Sequence, residues 1–368
     1  MPTFDILRES KPEKTFRVAS VMGKFDLQTE HIKEHFQGNI NLDKDWKIGL
    51  IVGGSGTGKT TIAKELFSNA YVTEFNYKAE TILDDMPEEC SVNEITQIFN
   101  SVGFSSPPSW LKPYSVLSNG QKMRVDLATA LLKKDKLIVF DEFTSVVDRT
   151  VARIGSYAMQ KAIRKSDKQF IAVTCHHDVQ DWLLPDWIFN TDSMTFQSMK
   201  GQKKNRPEIK FEIFNTRDKS AWRIFAKHHY LSHTHNNAAH TYVVFVDNQI
   251  AGFCSVLHMP NKNPKLKRVH RLVVLPDYQG IGIGGRLLDF IAKKYNNEGY
   301  TFSITTSTPS LIFALKKHID WKCYHHGRSV SKDKMGSGSQ NRITTAFRYI
   351  KNGTKWNKIE HKSQRNKC

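Results

Sequence analysis

The 368-residue sequence contains no run of about 20 apolar residues, the length a helix needs to cross a bilayer, so no membrane span is expected. The opening stretch MPTFDILRESKPEKTF lacks the apolar core of a secretory signal. Cysteine is scarce. The five residues Cys90, Cys175, Cys254, Cys323 and Cys368 are scattered, odd in number and never spaced as CxxC. That argues against a disulfide framework or a zinc ribbon and fits a reducing, cytoplasmic setting. Acidic residues are scarce in one part only. Residues 201–368 hold 10 Asp and Glu against 30 Lys and Arg, net +20, whereas residues 1–200 hold 26 against 24, net −2.

Eleven of the 15 histidines also fall in the basic part. A split this sharp points to two modules with different partners, and a polyanion such as nucleic acid is the partner expected for the second. The chain is long enough for two or three domains, each burying its own core. MKGQKKNRPEIK (199–210) is polar, basic and broken by Gly and Pro. The expected division is therefore 1–200, a linker at 201–209, a second domain at 210–350 and a basic tail at 351–368. That tail has six Lys and Arg against one Glu and reads as an arm attracted to phosphates.

In the first part, WKIGLIV (46–52) reads as a buried strand, and GGSGTGKT (53–60) follows it with the pattern G-x-x-x-x-G-K-T. Glycines let a backbone wrap phosphates and aim its N–H groups at them. The candidate ATP-binding set is Gly53, Gly54, Ser55, Gly56, Thr57, Gly58, Lys59, Thr60 and Thr61, with Lys59 a point charge for the β- and γ-phosphates. Thr60 offers a hydroxyl to Mg²⁺. KLIVFDEFTSVVD (136–148) ends a second apolar strand in Asp141, a second Mg²⁺ ligand, and Glu142, placed to orient or deprotonate an attacking water. Between them, LSNGQ (117–121), ending in Gln121, opens a helix whose N-terminus suits a γ-phosphate, through Ser118 and the backbone of Asn119 and Gly120. FIAVTCHHD (170–178) is a strand ending in two histidines.

These motifs together resemble an ATP-binding-cassette (ABC) ATPase over residues 1–200. The resemblance implies a P-loop α/β fold, ATP with Mg²⁺, and an ATP-dependent homodimer in which the signature of one copy closes on ATP held by the other. It also implies that His176 or His177 is the γ-phosphate switch. His176 is preferred because it directly ends its strand and lies ten residues before Asp186. Only 59 positions separate Lys59 from Ser118, short for a transporter cassette, and no glutamine loop stands out beside Gln97, Asp84 and Asp85.

The second part runs strand, helix, strands, helix. FEIFNT reads as a strand, SAWRIFAKHHYL (220–231) as a helix, and TYVVFVDNQIAGFCSVLHM as a hairpin turning at Asp247–Asn248. HRLVVLPDYQGIGIGGRLLDFIAKKY (270–295) takes an apolar strand through Pro276 into a glycine turn, with a helix from about Gly284. A glycine alternation alone is weak. With its strand and helix it resembles the Q-x-x-G-x-G loop of the GNAT acetyltransferases, implying an α+β GNAT domain over 210–350 that uses acetyl-CoA. The resemblance places the pyrophosphate on Gln279, Gly280, Ile281, Gly282, Ile283 and Gly284. It also makes Leu272, Val273 and Val274 the strand that splays from its neighbour beside the thioester.

AKHHYLSHTHNNAAH (226–240) packs five histidines and a tyrosine into fifteen residues where acceptors enter that fold. It also resembles a segment of the Mom family, phage proteins that modify adenine in DNA. His229, Tyr230 and His233 are candidates for taking the proton from an attacking amine. His233 and His235 have metal-chelating spacing but no convincing third ligand. The expected function is an ATPase fused to an N-acetyltransferase acting on a nucleic-acid base amine. The alternatives are acetylation of a protein lysine or small amine with the ATPase as a switch, and a non-catalytic ATP-dependent nucleic-acid clamp.

Overall fold

In the computed structural model, residues 3–10, 13, 15–26, 32–42, 45–72, 75–201, 209–229, 233–259, 265–328 and 342–351 are described. The chain divides into two units, and each is built from two separate stretches: 1–76 with 133–207, and 77–132 with 208–368.

The first stretch holds β1 (Thr3–Ser10), α1 (Phe16–Phe25), β2 (Ile32–Asn39), β3 (Ile48–Val52) and α2 (Lys59–Phe67). The chain then enters the second unit as α3 (Val92–Ser101), α4 (Pro107–Trp110) and α5 (Asn119–Leu132). It returns to the first unit with β4 (Leu137–Phe140), α6 (Arg149–Lys165), β5 (Gln169–Thr174), α7 (Val179–Leu183), β6 (Trp187–Asn190) and β7 (Thr195–Ser198). The final stretch holds β8 (Phe211–Thr216), α8 (Trp222–Ala226), β9 (His240–Val246), β10 (Gln249–His258) and β11 (Leu266–Val274). It ends with α9 (Ile283–Asn297), β12 (Thr301–Thr306), α10 (Pro309–Lys317), β13 (Trp321–Arg328) and β14 (Ile343–Tyr349).

The first unit is a five-stranded sheet in the order β4-β5-β3-β6-β7, parallel except for the edge strand β7. The central strand β3 is buried along its whole length, as its unbroken apolar run requires. Ile51, Ile62, Val139, Ile171, Val173 and Phe189 form the core, and the antiparallel ribbon β1–β2 lays Phe4 and Phe36 on it. In a parallel sheet the loops after the strands gather at one edge. Here those loops carry residues 53–58, Asp141, His176 and Asp192.

The second unit holds a seven-stranded sheet, β13-β14-β12-β11-β10-β9-β8, antiparallel except for β11 beside β12. The hairpin β9–β10 turns at Asp247 and Asn248, both at positive φ (47° and 65°), as a two-residue hairpin turn demands. Helix α9 buries Leu287, Leu288, Ile291, Ala292 and Tyr295, one helical stripe.

The segment 77–132 lies in the second compact unit, where the Ser105 N–H and Arg124 bond residues of the 277–279 turn. One expectation needs correction. The helix expected over 220–231 ends at Ala226. The next turns tighten, with His228 N–H donating to Phe225 O and His229 N–H to Ala226 O, and Trp222 Nε1 reaches the carbonyl of His233 at 2.6 Å. Residues 202–208 of the expected linker, Tyr230, and 352–368 of the basic tail lie outside the described residues. Among the described residues no helix is long and apolar enough to cross a membrane, and Cys90, Cys175, Cys254 and Cys323 form no disulfide.

Candidate functional site

The nucleotide residues of the first unit form where β3 gives way to α2. Gly56 and Gly58 take positive φ, 81° and 82°. A Cβ on Gly58 would come within 2.6 Å of the Phe36 ring, so glycine is required there twice over. Lys59 is 9% exposed and its Nζ donates to Gly54 O at 2.5 Å, closing the loop on itself. Ser55 and Gly56 are exposed at the loop's tip.

Thr60 Oγ1 donates to Asp141 Oδ2 at 2.8 Å, so the two expected Mg²⁺ ligands meet. Tyr71 OH also donates to that oxygen, and Asp141 Oδ1 accepts from the N–H of Glu142 at 2.8 Å. A hydroxyl and a carboxylate, both hard oxygens, fit Mg²⁺. Glu142 is exposed at φ 51°, a strained backbone for a non-glycine residue. His176 is half-buried, with its N–H on Thr174 Oγ1 at 3.2 Å. His177 is exposed, its Nε2 3.5 Å from Asp192 Oδ2, and Asp192 Oδ1 accepts from Gly54 N–H at 2.7 Å. Tyr71 and Asp192 were not anticipated. Nothing in their local sequence marks them, and only the strand order brings them to this edge.

The signature residues belong to the second unit. Ser118 stands before α5 as its N-cap. Its Oγ accepts from Gln121 N–H at 3.4 Å while its own N–H donates to Gln121 Oε1 at 3.1 Å, a reciprocal capping box. Gln121 Nε2 also donates to Ser109 Oγ at 3.2 Å. Gly120 is buried and Asn119 exposed.

The acyl-CoA candidates lie along β11 and its glycine turn. β11 pairs with β10 up to Val274, but with β12 only over Leu266–Arg268. The sheet therefore opens beside Val269–Val274, and β11 backbone groups on that side lose their strand partner. Val273 packs into the core of Trp222, Phe225 and Phe253. Leu272 and Val274 face the other way, toward Gly284, where a Cβ would sit 3.9 and 3.6 Å from their side chains. Gly280 and Gly282 take φ of 92° and 86°, and a Cβ on Gly282 would meet nothing within 4 Å. This open glycine turn at the N-terminus of the fifteen-residue α9 fits a pyrophosphate. Gln279 is turned away from it. Its Nε2 donates to Val274 O at 3.0 Å and its Oε1 accepts from Ser105 N–H at 2.9 Å.

The histidines do not gather as spacing suggested. His229 is 8% exposed against the Trp222 ring, while His233 is exposed and offers Trp222 only its carbonyl. His235 lies beside Trp222, Phe253 and His270, with ring centroids 5.6, 5.7 and 5.8 Å away. Both its ring nitrogens are buried without a hydrogen-bond partner among the described residues. His270, on β11, accepts from Asn236 N–H at 3.3 Å. Burial, reinforced by Arg271 and the neighbouring histidines, pushes His270 down to about 4. Burial, then Arg271 and Lys219, also lowers His235. These imidazoles are neutral at pH 7. His270 was missed; a histidine opening an otherwise apolar strand stretch was the available signal. Among the described residues no group of three or more His, Cys, Asp or Glu is placed to hold a metal.

Residues 206–316 match the acetyltransferase (GNAT) family. The EcfA1 ATP-binding protein of an energy-coupling factor transporter from Leuconostoc mesenteroides is 30% identical over 105 residues, 26% of this chain and 39% of that protein. The spermidine/putrescine import ATP-binding protein PotA of Borreliella afzelii is 28% identical over 184 residues, 39% of this chain and 51% of that protein. The chain joins an ABC-type ATPase fold to a GNAT acetyltransferase fold. It spans about half the length of the curated relatives it matches, from 39% to 65% of the first four. Among solved structures, a dimeric bacterial ABC transporter cassette is 15% identical, covering 54% of this chain and 98% of its own (TM-score 0.38). A GNAT acetyltransferase from Elizabethkingia anophelis with acetyl-CoA bound is 15% identical over 38% of this chain and 97% of its own (TM-score 0.27).

Proposed function

We propose that the protein is an ATP-hydrolysing ABC-type module fused to an acetyl-CoA-dependent N-acetyltransferase that acts on base amines in nucleic acid. The observation that carries the transferase reading is the sheet opening beside Val269–Val274, followed directly by the glycine turn at the start of α9. A pyrophosphate bound at Gly280–Gly284 directs the thioester toward that opening, where β11 N–H groups that no longer face β12 polarise its carbonyl. The acceptor nitrogen attacks the carbonyl carbon, the C–S bond breaks, the thiolate leaves, and the amine's proton passes to a base. His229 is one candidate base for that step and the neutral imidazole of His270 another; His233 and Tyr230 are the other candidates.

In the first unit, Thr60 and Asp141 hold Mg²⁺, which neutralises phosphate charge when bound. Glu142 orients and deprotonates the attacking water, and His176 contacts the γ-phosphate. Ser118, Gly120 and Gln121 close on ATP held by a second copy, making an ATP-dependent homodimer. The nucleic-acid reading is supported by charge: the second unit carries 31 Lys and Arg against 17 Asp and Glu, the first 23 against 19. The Mom-like histidine segment agrees with a base as acceptor. A stacked base must be extruded, at a few kcal/mol, and nucleotide-driven clamping supplies that work.

The test is mass spectrometry of nucleosides and proteins from cells with the chain and with a Glu142→Gln, Gly282→Glu double variant. An acetylated nucleoside present only with the active chain supports the reading. Acetylated lysines with unmodified nucleosides would replace the acceptor class, and no acetylation of either kind would leave only a clamp.

A further inference from the structure

The second unit holds an unusual joint. Three groups of the helical segment grip the turn that leads into the acyl-CoA glycines. Arg124, on α5 and only 1% exposed, donates from one guanidinium nitrogen to Asp277 O at 2.9 Å, and another lies 4.0 Å from the Asp277 carboxylate. The Ser105 N–H donates to the Gln279 side chain at 2.9 Å. Gly103, at φ 86°, lets the backbone approach so closely that a Cβ would sit 2.7 Å from Gln279 O. A buried guanidinium is costly without acceptors, and this turn offers Arg124 one hydrogen-bonded carbonyl and a carboxylate at ion-pair distance.

Arg124 lies six residues along α5 from Ser118, about 9 Å at the helical rise. The gripped Gln279 is three residues from Gly282. Two anion-binding helix starts, those of α5 and α9, are thus linked by one rigid helix and one turn.

We propose that this joint couples the two ligands: nucleotide engaged at Ser118–Gln121 and acetyl-CoA engaged at Gly280–Gly284 favour one another, with Arg124 and Gly103 as positioning residues. The proposal rests on the ATPase and acetyltransferase reading above. The physical basis is shared ordering. Each ligand fixes one end of the joint, and the second then pays less to order the rest. Linkage makes the effect reciprocal, so ATP must raise acetyl-CoA affinity by the same factor that acetyl-CoA raises ATP affinity.

The experiment uses the full chain carrying Glu142→Gln, so that ATP is held. Calorimetry measures acetyl-CoA affinity with and without ATP·Mg²⁺, and ATP affinity with and without acetyl-CoA. The expected shift is about 5-fold or more, equal in both directions. Arg124→Met should remove the shift, Gly103→Ala should weaken it by wedging the backbones apart, and Arg124→Lys should restore part of it. A general loss of stability would not change this ratio of affinities. Both ligands binding to the parent chain with no shift, or a shift that survives Arg124→Met, overturns the coupling alone. No acetyl-CoA binding to the parent overturns the transferase reading and the coupling with it. Hydrogen exchange on the unsubstituted chain needs no variant. Acetyl-CoA should slow exchange of the Ser105 amide several-fold, and an unchanged rate there also overturns the proposal.

Discussion

Replacing Gly282 by Glu separates the cost to the fold from the cost to the ligand. A Cβ at this position meets nothing within 4 Å, so no packing is lost. The backbone penalty remains: φ is 86°, and an L-residue in that region pays about 1–2 kcal/mol. The chain should stay folded, with its unfolding temperature lowered by a few degrees. Binding should suffer more. A carboxylate about 5 Å from a phosphate charge repels it by about 1 kcal/mol at the dielectric of water and about 3 at an effective value of 20. The turn is open to solvent, so the lower figure is the safer one. Two phosphate charges then give about 2 kcal/mol or more, at least about a 30-fold loss of acetyl-CoA affinity. Gly282→Ala carries the same strain without the charge and should lose much less. Calorimetry with acetyl-CoA on both folded variants checks this. If Gly282→Glu binds within about threefold of the parent, the pyrophosphate does not sit at this turn.

Glu142→Gln should arrest ATP hydrolysis while leaving the Thr60–Asp141 pair intact, and sedimentation should show an ATP-stabilised dimer; hydrolysis at the parent rate would remove Glu142 from the mechanism. Oligonucleotide binding by the full chain should fall steeply with salt, about −0.9 in log–log slope for each duplex phosphate neutralised, and truncation after Ile350 should flatten it; salt-independent binding would reduce the charge asymmetry to solubility. The unfolded His270 protonates near its ordinary 6.5 but the folded one near 4, so its contribution to stability is full above 6.5 and is lost as pH falls toward 4. Discounted for a half-exposed ring, this is about 1–2 kcal/mol, and denaturation curves of His270→Gln should show a flatter pH dependence across that window; an unchanged slope would refute the assignment.

Motifs whose chemistry is local were legible. The strand and helix around residues 53–60 and the hairpin turn at Asp247–Asn248 are where the sequence puts them, because each depends on neighbours a few residues away; the opening of β11 depends on the distant β12 and is expected only from the family resemblance. What depends on distant partners was not legible. Arg124 reads as an ordinary helix cation until Asp277 is placed beside it. Gly103 stands in no motif of the sequence, yet its missing side chain makes room for Gln279. The histidine segment misled by its density: spacing pairs His233 with His235, yet His229 is buried against Trp222, His235 is half-buried beside His270, and His233 is exposed. His270, from another strand, completes the group.

The interleaving of the two units has a consequence for how the chain is made. A ribosome releases α5 long before the turn that covers Arg124, since Asp277 comes 153 residues later. At about 5–20 residues per second, that interval is about 8–30 s. Throughout it, the nascent segment 77–132 has left the sheet it interrupts and has no docking partner yet. The first sheet meanwhile lacks β4–β7 until residue 198 has emerged. The first unit can close once residue 207 has emerged, whereas the segment 77–132 still waits for the turn at 277–279, so the two units mature in succession and the waiting segment is the part most exposed to chaperones and proteases.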